Sequence, residues 1–211
     1  YFLITMLLIG LICLYQLNIY TWFVAISAIP LVILYPLAKR FTKWPQIILG
    51  LTFSWAVPTA WSAANEEWNL GIFIMYLATV FWIIGYDTIY GCQDKNEDEI
   101  FGIKNSAVSA KNFLTLFVGC SYSLMFCLLI ISGYLLNNNI FWYIGVSICG
   151  LHLTYQVIKI KNIEQHNPLQ IFKSNVDPKI LFDLLEQICI KTENKYVLDN
   201  TSYKKAGFLQ L

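Results

Sequence analysis

Charge is what this chain has least of. Only 13% of its 211 residues are Asp, Glu, Lys or Arg, against roughly 25% in an average soluble domain. A water-soluble fold covers its core with polar surface, and too little is available here. Histidine is also scarce, at 2 residues, and the 6 cysteines (13, 92, 120, 127, 149 and 189) contain no C-x-x-C pair. Zinc ligation and a disulfide framework are therefore disfavoured, and the cysteines read as small apolar packing residues. His152 and His166 have no partner ligand three or four residues away and read as structural. The basic residues are not interleaved with aromatics as on a nucleic-acid surface, so no nucleic-acid partner is expected. The sequence opens inside an apolar segment, without Met or a charged leader, as expected of a partial or processed polypeptide.

What the chain does have is hydrophobic residues, 57% of the total, and aromatics, 16%. They come in long blocks near 1–18, 21–38, 46–64, 71–90, 112–136 and 140–158. Each is about the length that crosses ~30 Å of hydrocarbon as a helix. The runs are continuous and do not alternate, which favours helices over a barrel. Trp22, Trp44, Trp61, Trp68, Trp142 and Tyr143 lie near block ends, where interfacial belts form. The expectation is an all-α polytopic membrane bundle with about six transmembrane helices, and the lipid bilayer is its first partner. Residues 1–160 form the bundle, and 161–211 a cytoplasmic tail. Ile180, Leu181, Leu184, Leu185 and Ile188 recur there at the spacing of a short amphipathic helix.

The net charge of +1 hides a strong asymmetry. Connections near 19–21, 65–70 and 137–139 contain no Lys or Arg. Alternate connections and the tail hold the cations: Lys39, Arg40 and Lys43; Lys95, Lys104 and Lys111; Lys159, Lys161 and those beyond. The positive-inside bias then puts Tyr1 and the cation-bearing connections on the cytoplasmic side.

Two of those connections hold the candidate chemistry. Asp94 and Asp98 are four apart and share a helical face. Such a pair suits Mg²⁺, which binds through one or two carboxylates and leaves positions for water and phosphate oxygens. Lys95 and Lys104 would meet phosphate charge that the metal leaves over. By itself, a D-x-x-x-D pair is more often a solvated acidic loop. Asp87, in Tyr86-Asp87-Thr88-Ile89-Tyr90, is the only charged residue within any of the six blocks. An intramembrane acid is a candidate functional residue, and a water-exposed helix end is the alternative. Tyr35 and Lys39 stand one turn apart at the end of the second block, with Arg40 beside them; snorkelling accounts equally well for the two cations. All three groups fall on one membrane face, as a polar cavity for an amphiphile with an anionic head would require.

The stretch Tyr86-Asp-Thr-Ile-Tyr-Gly-Cys-Gln-Asp-Lys-Asn-Glu-Asp98, with Gly102-Ile-Lys-Asn-Ser-Ala107, closely resembles the second aspartate motif (YDTxYAxxDxxxD…GxKS) of the UbiA superfamily of intramembrane prenyltransferases. Tyr35-Pro-Leu-Ala-Lys-Arg-Phe-Thr-Lys-Trp-Pro-Gln-Ile-Ile-Leu-Gly50 resembles a stretch of its 4-hydroxybenzoate branch, and the likeness runs to about Asn175. The resemblance implies a nine-helix fold, of which this chain holds the third to eighth. It implies transfer of a polyprenyl group from polyprenyl diphosphate to the ring carbon ortho to the hydroxyl of 4-hydroxybenzoate, in ubiquinone biosynthesis, with Mg²⁺ as cofactor. Asp94 and Asp98 would be the metal and diphosphate ligands. Lys39 and Arg40 would be catalytic cations, Arg40 toward the aromatic carboxylate. Tyr35, Tyr86, Asp87, Tyr90, Lys95 and Lys104 would line the substrates. The implied location is a bacterial inner membrane, with the mitochondrial inner membrane as alternative.

The family's first aspartate motif, N-D-x-x-D-x-x-x-D, has no counterpart here, and 176–211 is too polar for a ninth helix. The chain alone is therefore expected to be inactive. The competing reading is an inactive fragment, or a non-catalytic membrane subunit that binds isoprenoid diphosphate.

Overall fold

The computed structural model describes residues 1–65, 67–161 and 167–175, and is helical throughout apart from connections. The helices are α1 (Phe2–Tyr15), α2 (Ile19–Ile26), α3 (Ile29–Phe41), α4 (Pro45–Ser54), α5 (Ala56–Ala64), α6 (Leu70–Gly91), α7 (Lys95–Phe101), α8 (Ser106–Ser109), α9 (Leu114–Leu135), α10 (Ile140–Lys161) and α11 (Pro168–Lys173). Among the described residues, five segments are long and apolar enough to cross a membrane: Ile19–Ala38, Pro45–Ala64, Leu70–Gly91, Leu114–Leu135 and Ile140–Lys161. The protein is an integral, multi-pass membrane protein. The first expected span is α1, whose 14 residues reach about 21 Å at 1.5 Å each. The amphipathic segment anticipated at 180–188 and His166 lie outside the described residues.

Two spans are broken in mid-membrane, and the breaks answer each other. Between α2 and α3, Ala28 N–H bonds to Ala25 O and not to Val24 O. The freed Val24 carbonyl accepts from Ser27 Oγ at 2.6 Å and from Trp55 Nε1 at 2.8 Å. Trp55 is itself the residue at which α4 gives way to α5. Hydrocarbon offers no water to backbone groups, so a break survives where a neighbouring side chain satisfies them.

Helix α6 is the axis of the bundle. It packs along α9 and against α4, α5, α8 and α11, and its buried residues include Tyr76, Ala78, Val80, Ile84, Thr88 and Ile89. Buried Val118, Tyr122 and Met125 of α9 join Leu153 and Ile160 of α10 in the main core. A polar network crosses this core. Tyr122 Oη donates to Gln156 Oε1 at 2.8 Å, and Gln156 Nε2 reaches Ser174 Oγ at 2.9 Å and His152 Nε2 at 3.0 Å. His152 thus belongs to this core network, which pins α11 to the bundle.

The ends of the bundle sort by charge. At one, Lys104 Nζ donates to Arg40 O at 3.2 Å and Ser109 Oγ to Lys43 O at 3.0 Å. The cation-bearing connections are thereby gathered together. At the other, Asn18 Nδ2 donates to Ser62 O at 2.8 Å, and Ser132 Oγ to Gly71 O at 2.8 Å.

Candidate functional site

A small polar cavity of about 110 Å³ opens at the cation-bearing end. It is lined by Tyr35, Pro45, Gln46, Asp87, Tyr90, Gly91, Asp94, Asp98 and Asn105. Five of the residues singled out from the sequence therefore meet around one space: Tyr35 from α3, Asp87 and Tyr90 from the last turn of α6, and Asp94 and Asp98 from the segment that follows.

The local folding follows from a few residues. Asp98 N–H bonds to Asp94 O at 2.8 Å, so the two aspartates stand one helical turn apart, as their spacing requires. Gly102 ends α7 with φ 67°, a left-handed conformation that costs a residue with Cβ about 1–2 kcal/mol. Ile103 N–H then closes onto Asp98 O at 2.8 Å. Asp94 is exposed, while Asp87 and Asp98 are half-buried.

Behind the aspartates lies a layer of neutral polar side chains that the sequence did not single out. Asn105 Nδ2 donates to Asp98 Oδ2 at 2.8 Å and to Gly91 O at 3.2 Å. Its Oδ1 accepts from Gln46 Nε2 and from Ala107 N, both at 3.0 Å. Gln46 Oε1 accepts from Ser106 N at 3.1 Å, and Thr88 and Ser106 share a hydroxyl contact of 2.7 Å. Gln46 and Asn105 do fall within the two motif stretches, and that is the only signal that would have found them.

Tyr86 and the cations singled out from the sequence are not part of the lining. Tyr86 packs between Trp82 and Phe172, with ring centroids 5.3 and 5.6 Å away, and Tyr90 lies 5.0 Å from Phe172. Lys104 spends its ammonium on the Arg40 carbonyl. Arg40 is exposed and Lys95 half-buried. Lys39 belongs to the last turn of α3, and its side chain lies outside the described residues. Lys111 bonds both carboxylate oxygens of Glu99 at 2.9 Å and holds that acid below the usual carboxylate range. Beside the site, burial pushes the Cys92 thiol up to about 11, with Lys95 pulling the other way.

Chemically, the lining combines hard oxygen donors with two phenols. Among the described residues, no three Asp, Glu, His or Cys side chains converge as an all-protein metal site. The donor set instead fits Mg²⁺ taken through one or two carboxylates, with water and phosphate oxygens in its other positions. Asp98 keeps Oδ1 available for that purpose, because Asn105 takes only Oδ2.

Three comparisons bear on this geometry. A family model described as the UbiA prenyltransferase family matches residues 1–176. The 4-hydroxybenzoate octaprenyltransferase of Francisella tularensis subsp. novicida is 38% identical over 172 residues, 82% of this chain and 61% of that protein. The mitochondrial 4-hydroxybenzoate polyprenyltransferase of Dictyostelium discoideum is 38% identical over 178 residues, 81% of this chain and 37% of that protein. The chain thus spans about three fifths of the bacterial relative's length. No solved structure matches it significantly.

Proposed function

This chain belongs to the UbiA prenyltransferase family, and from that premise we propose that it carries the second carboxylate site of a 4-hydroxybenzoate polyprenyltransferase. The reaction would move a polyprenyl group from polyprenyl diphosphate to the ring carbon ortho to the phenol, in ubiquinone biosynthesis. One observation carries the proposal: Asp87, Asp94, Asp98 and Tyr35 line a single cavity at the membrane face that gathers the cations.

In this reading Asp94 and Asp98 hold Mg²⁺, and the ion when bound supplies positive charge to the departing diphosphate. The prenyl C1–O bond breaks, and its electron pair leaves with the diphosphate. The ring carbon bonds to C1, and the ring then releases its proton. Lys39, Arg40, Lys95 and Lys104 belong to the connections at the same end of the bundle and would supply further positive charge, with Arg40 the candidate for the aromatic carboxylate. Tyr86 and Tyr90, backed by Phe172, put aromatic faces beside the site, where a developing allylic cation is attracted to them. Residues 1–160 are proposed as the catalytic bundle and the remainder as a cytoplasmic tail, in a bacterial inner membrane.

The test is farnesyl diphosphate binding by the chain in nanodiscs, with and without Mg²⁺. Saturable binding that needs Mg²⁺ and vanishes in Asp94→Asn and Asp98→Asn supports the proposal. Binding indifferent to both would reduce the motif to a solvated acidic loop.

A further inference from the structure

We infer that Asn105, locked in place by Gln46, is a positioning residue for the metal-side carboxylate of Asp98; this rests on the reading of the cavity as a Mg²⁺–diphosphate site. The first reason is what α7 lacks. None of its seven residues is buried, so packing does not fix the direction of the Asp98 side chain. The backbone bonds of Asp98 to Asp94 and Ile103 hold its Cα, and the side chain itself is held by the 2.8 Å bond from Asn105 Nδ2 to Oδ2.

The second reason is that Asn105 cannot turn. A primary amide has two donor hydrogens and an oxygen with two lone pairs, and all four are used here. Ala107 N–H can only donate, so it must face Oδ1; Gly91 O and the Asp98 carboxylate can only accept, so they must face Nδ2. Gln46 is oriented in the same way. Ser106 N–H fixes its Oε1, which leaves Nε2 for Asn105 Oδ1. Both amides are buried, Asn105 at 6% exposure and Gln46 at 5%. A carboxylate that receives a hydrogen bond on one oxygen is oriented for a metal on the other, the usual job of an outer-shell partner. The clamp reaches from α4 through the α8 cap to α7 and to the end of α6. It joins residues 46 and 105, one from each motif stretch, into a single hydrogen-bonded unit.

The experiment measures Mn²⁺ affinity by electron paramagnetic resonance, using the chain in nanodiscs with farnesyl diphosphate present. Farnesol, which carries the tail without the phosphates, is titrated in parallel. Asn105→Ala should weaken Mn²⁺ binding about 10- to 100-fold, the usual loss for an outer-shell partner, while farnesol affinity stays unchanged. Gln46→Ala should move Mn²⁺ affinity in the same direction by less, and it carries the test if Asn105→Ala does not fold. Mn²⁺ affinity within twofold of the unaltered chain overturns the clamp and leaves the site reading intact. A parallel loss of farnesol binding also overturns it, because the role would then be structural. Absence of Mn²⁺ binding by the unaltered chain overturns the site reading, and the clamp with it.

Discussion

Gly91→Ala adds one methyl group at the most crowded point of the site. A Cβ there would lie 2.6 Å from Asn105 Oδ1, 2.7 Å from Nδ2 and 3.1 Å from Cγ, where ordinary contact begins near 3.4 Å. The obstacle is a buried amide with four hydrogen bonds and not a flexible chain end, so yielding means breaking bonds. Forcing a methyl into a packed site costs about 1–3 kcal/mol. Displacing Asn105 adds about 1 kcal/mol for each neutral bond lost, and about 2 kcal/mol for the bond to the Asp98 carboxylate. Against this, Ala gains up to about 1 kcal/mol over Gly in a helix. If the amide yields by giving up only its bond to Asp98, the net loss is about 2–4 kcal/mol, with a fall in Mn²⁺ affinity, because Asp98 loses its orienting donor. Gly10→Ala is the control, since nothing lies within 4 Å of its added Cβ. Unfolding in mixed detergent micelles measures the first quantity and Mn²⁺ titration the second. Gly91→Ala as stable as the parent, with unchanged Mn²⁺ affinity, would refute the packing of Asn105 on α6.

Gln156→Leu should destabilise the bundle by about 1–3 kcal/mol in the same unfolding assay, because Tyr122 Oη and Ser174 Oγ each lose a buried partner; a neutral change would count against the network. For topology, Asn138→Cys should react with an impermeant maleimide from the periplasmic side, and a cysteine in place of Lys43 only after the membrane is opened. The reverse pattern would invert the bundle. The Cys92 thiol, raised to about 11 by burial, is almost wholly protonated near neutrality. Since the thiolate is the nucleophile, its alkylation should stay slow at pH 7–8 and accelerate as pH climbs toward 11. A rate already level by pH 9 would contradict the burial.

Much of this was legible in the sequence, for identifiable reasons. Spans are written as long apolar runs because each must satisfy its backbone internally. Asp94 and Asp98 announce their shared face through a four-residue spacing, and Asp87 through its isolation among apolar neighbours. The breaks at Ser27–Ala28 and Trp55 went unread although Pro30 and Pro58 follow them closely, each lacking the N–H that would bond the carbonyl four residues back. They depend on a carbonyl and an indole 31 residues apart in the chain. Gln46 and Asn105 escaped for a similar reason. A neutral amide acquires a role only from what lies beside it, and these two meet across 59 residues. Lys104 was visible as a cation, yet its ammonium goes to a backbone carbonyl, and composition alone does not distinguish the two uses.

This segment is proposed to supply a working diphosphate site to a prenyl-transferring enzyme. It is tested most directly by transplanting the segment. In the Francisella relative, the 172-residue matched region would be replaced by that of this chain, and the chimera assayed in membranes with Mg²⁺, radiolabelled polyprenyl diphosphate and 4-hydroxybenzoate. Labelled prenylated product is expected from the chimera, with at least a ~100-fold loss in Asp98→Asn, comparable to removing a key electrostatic group from an active site, and no loss of membrane insertion. A chimera that transfers prenyl groups equally well with Asp98 replaced would rule out a diphosphate site at Asp98.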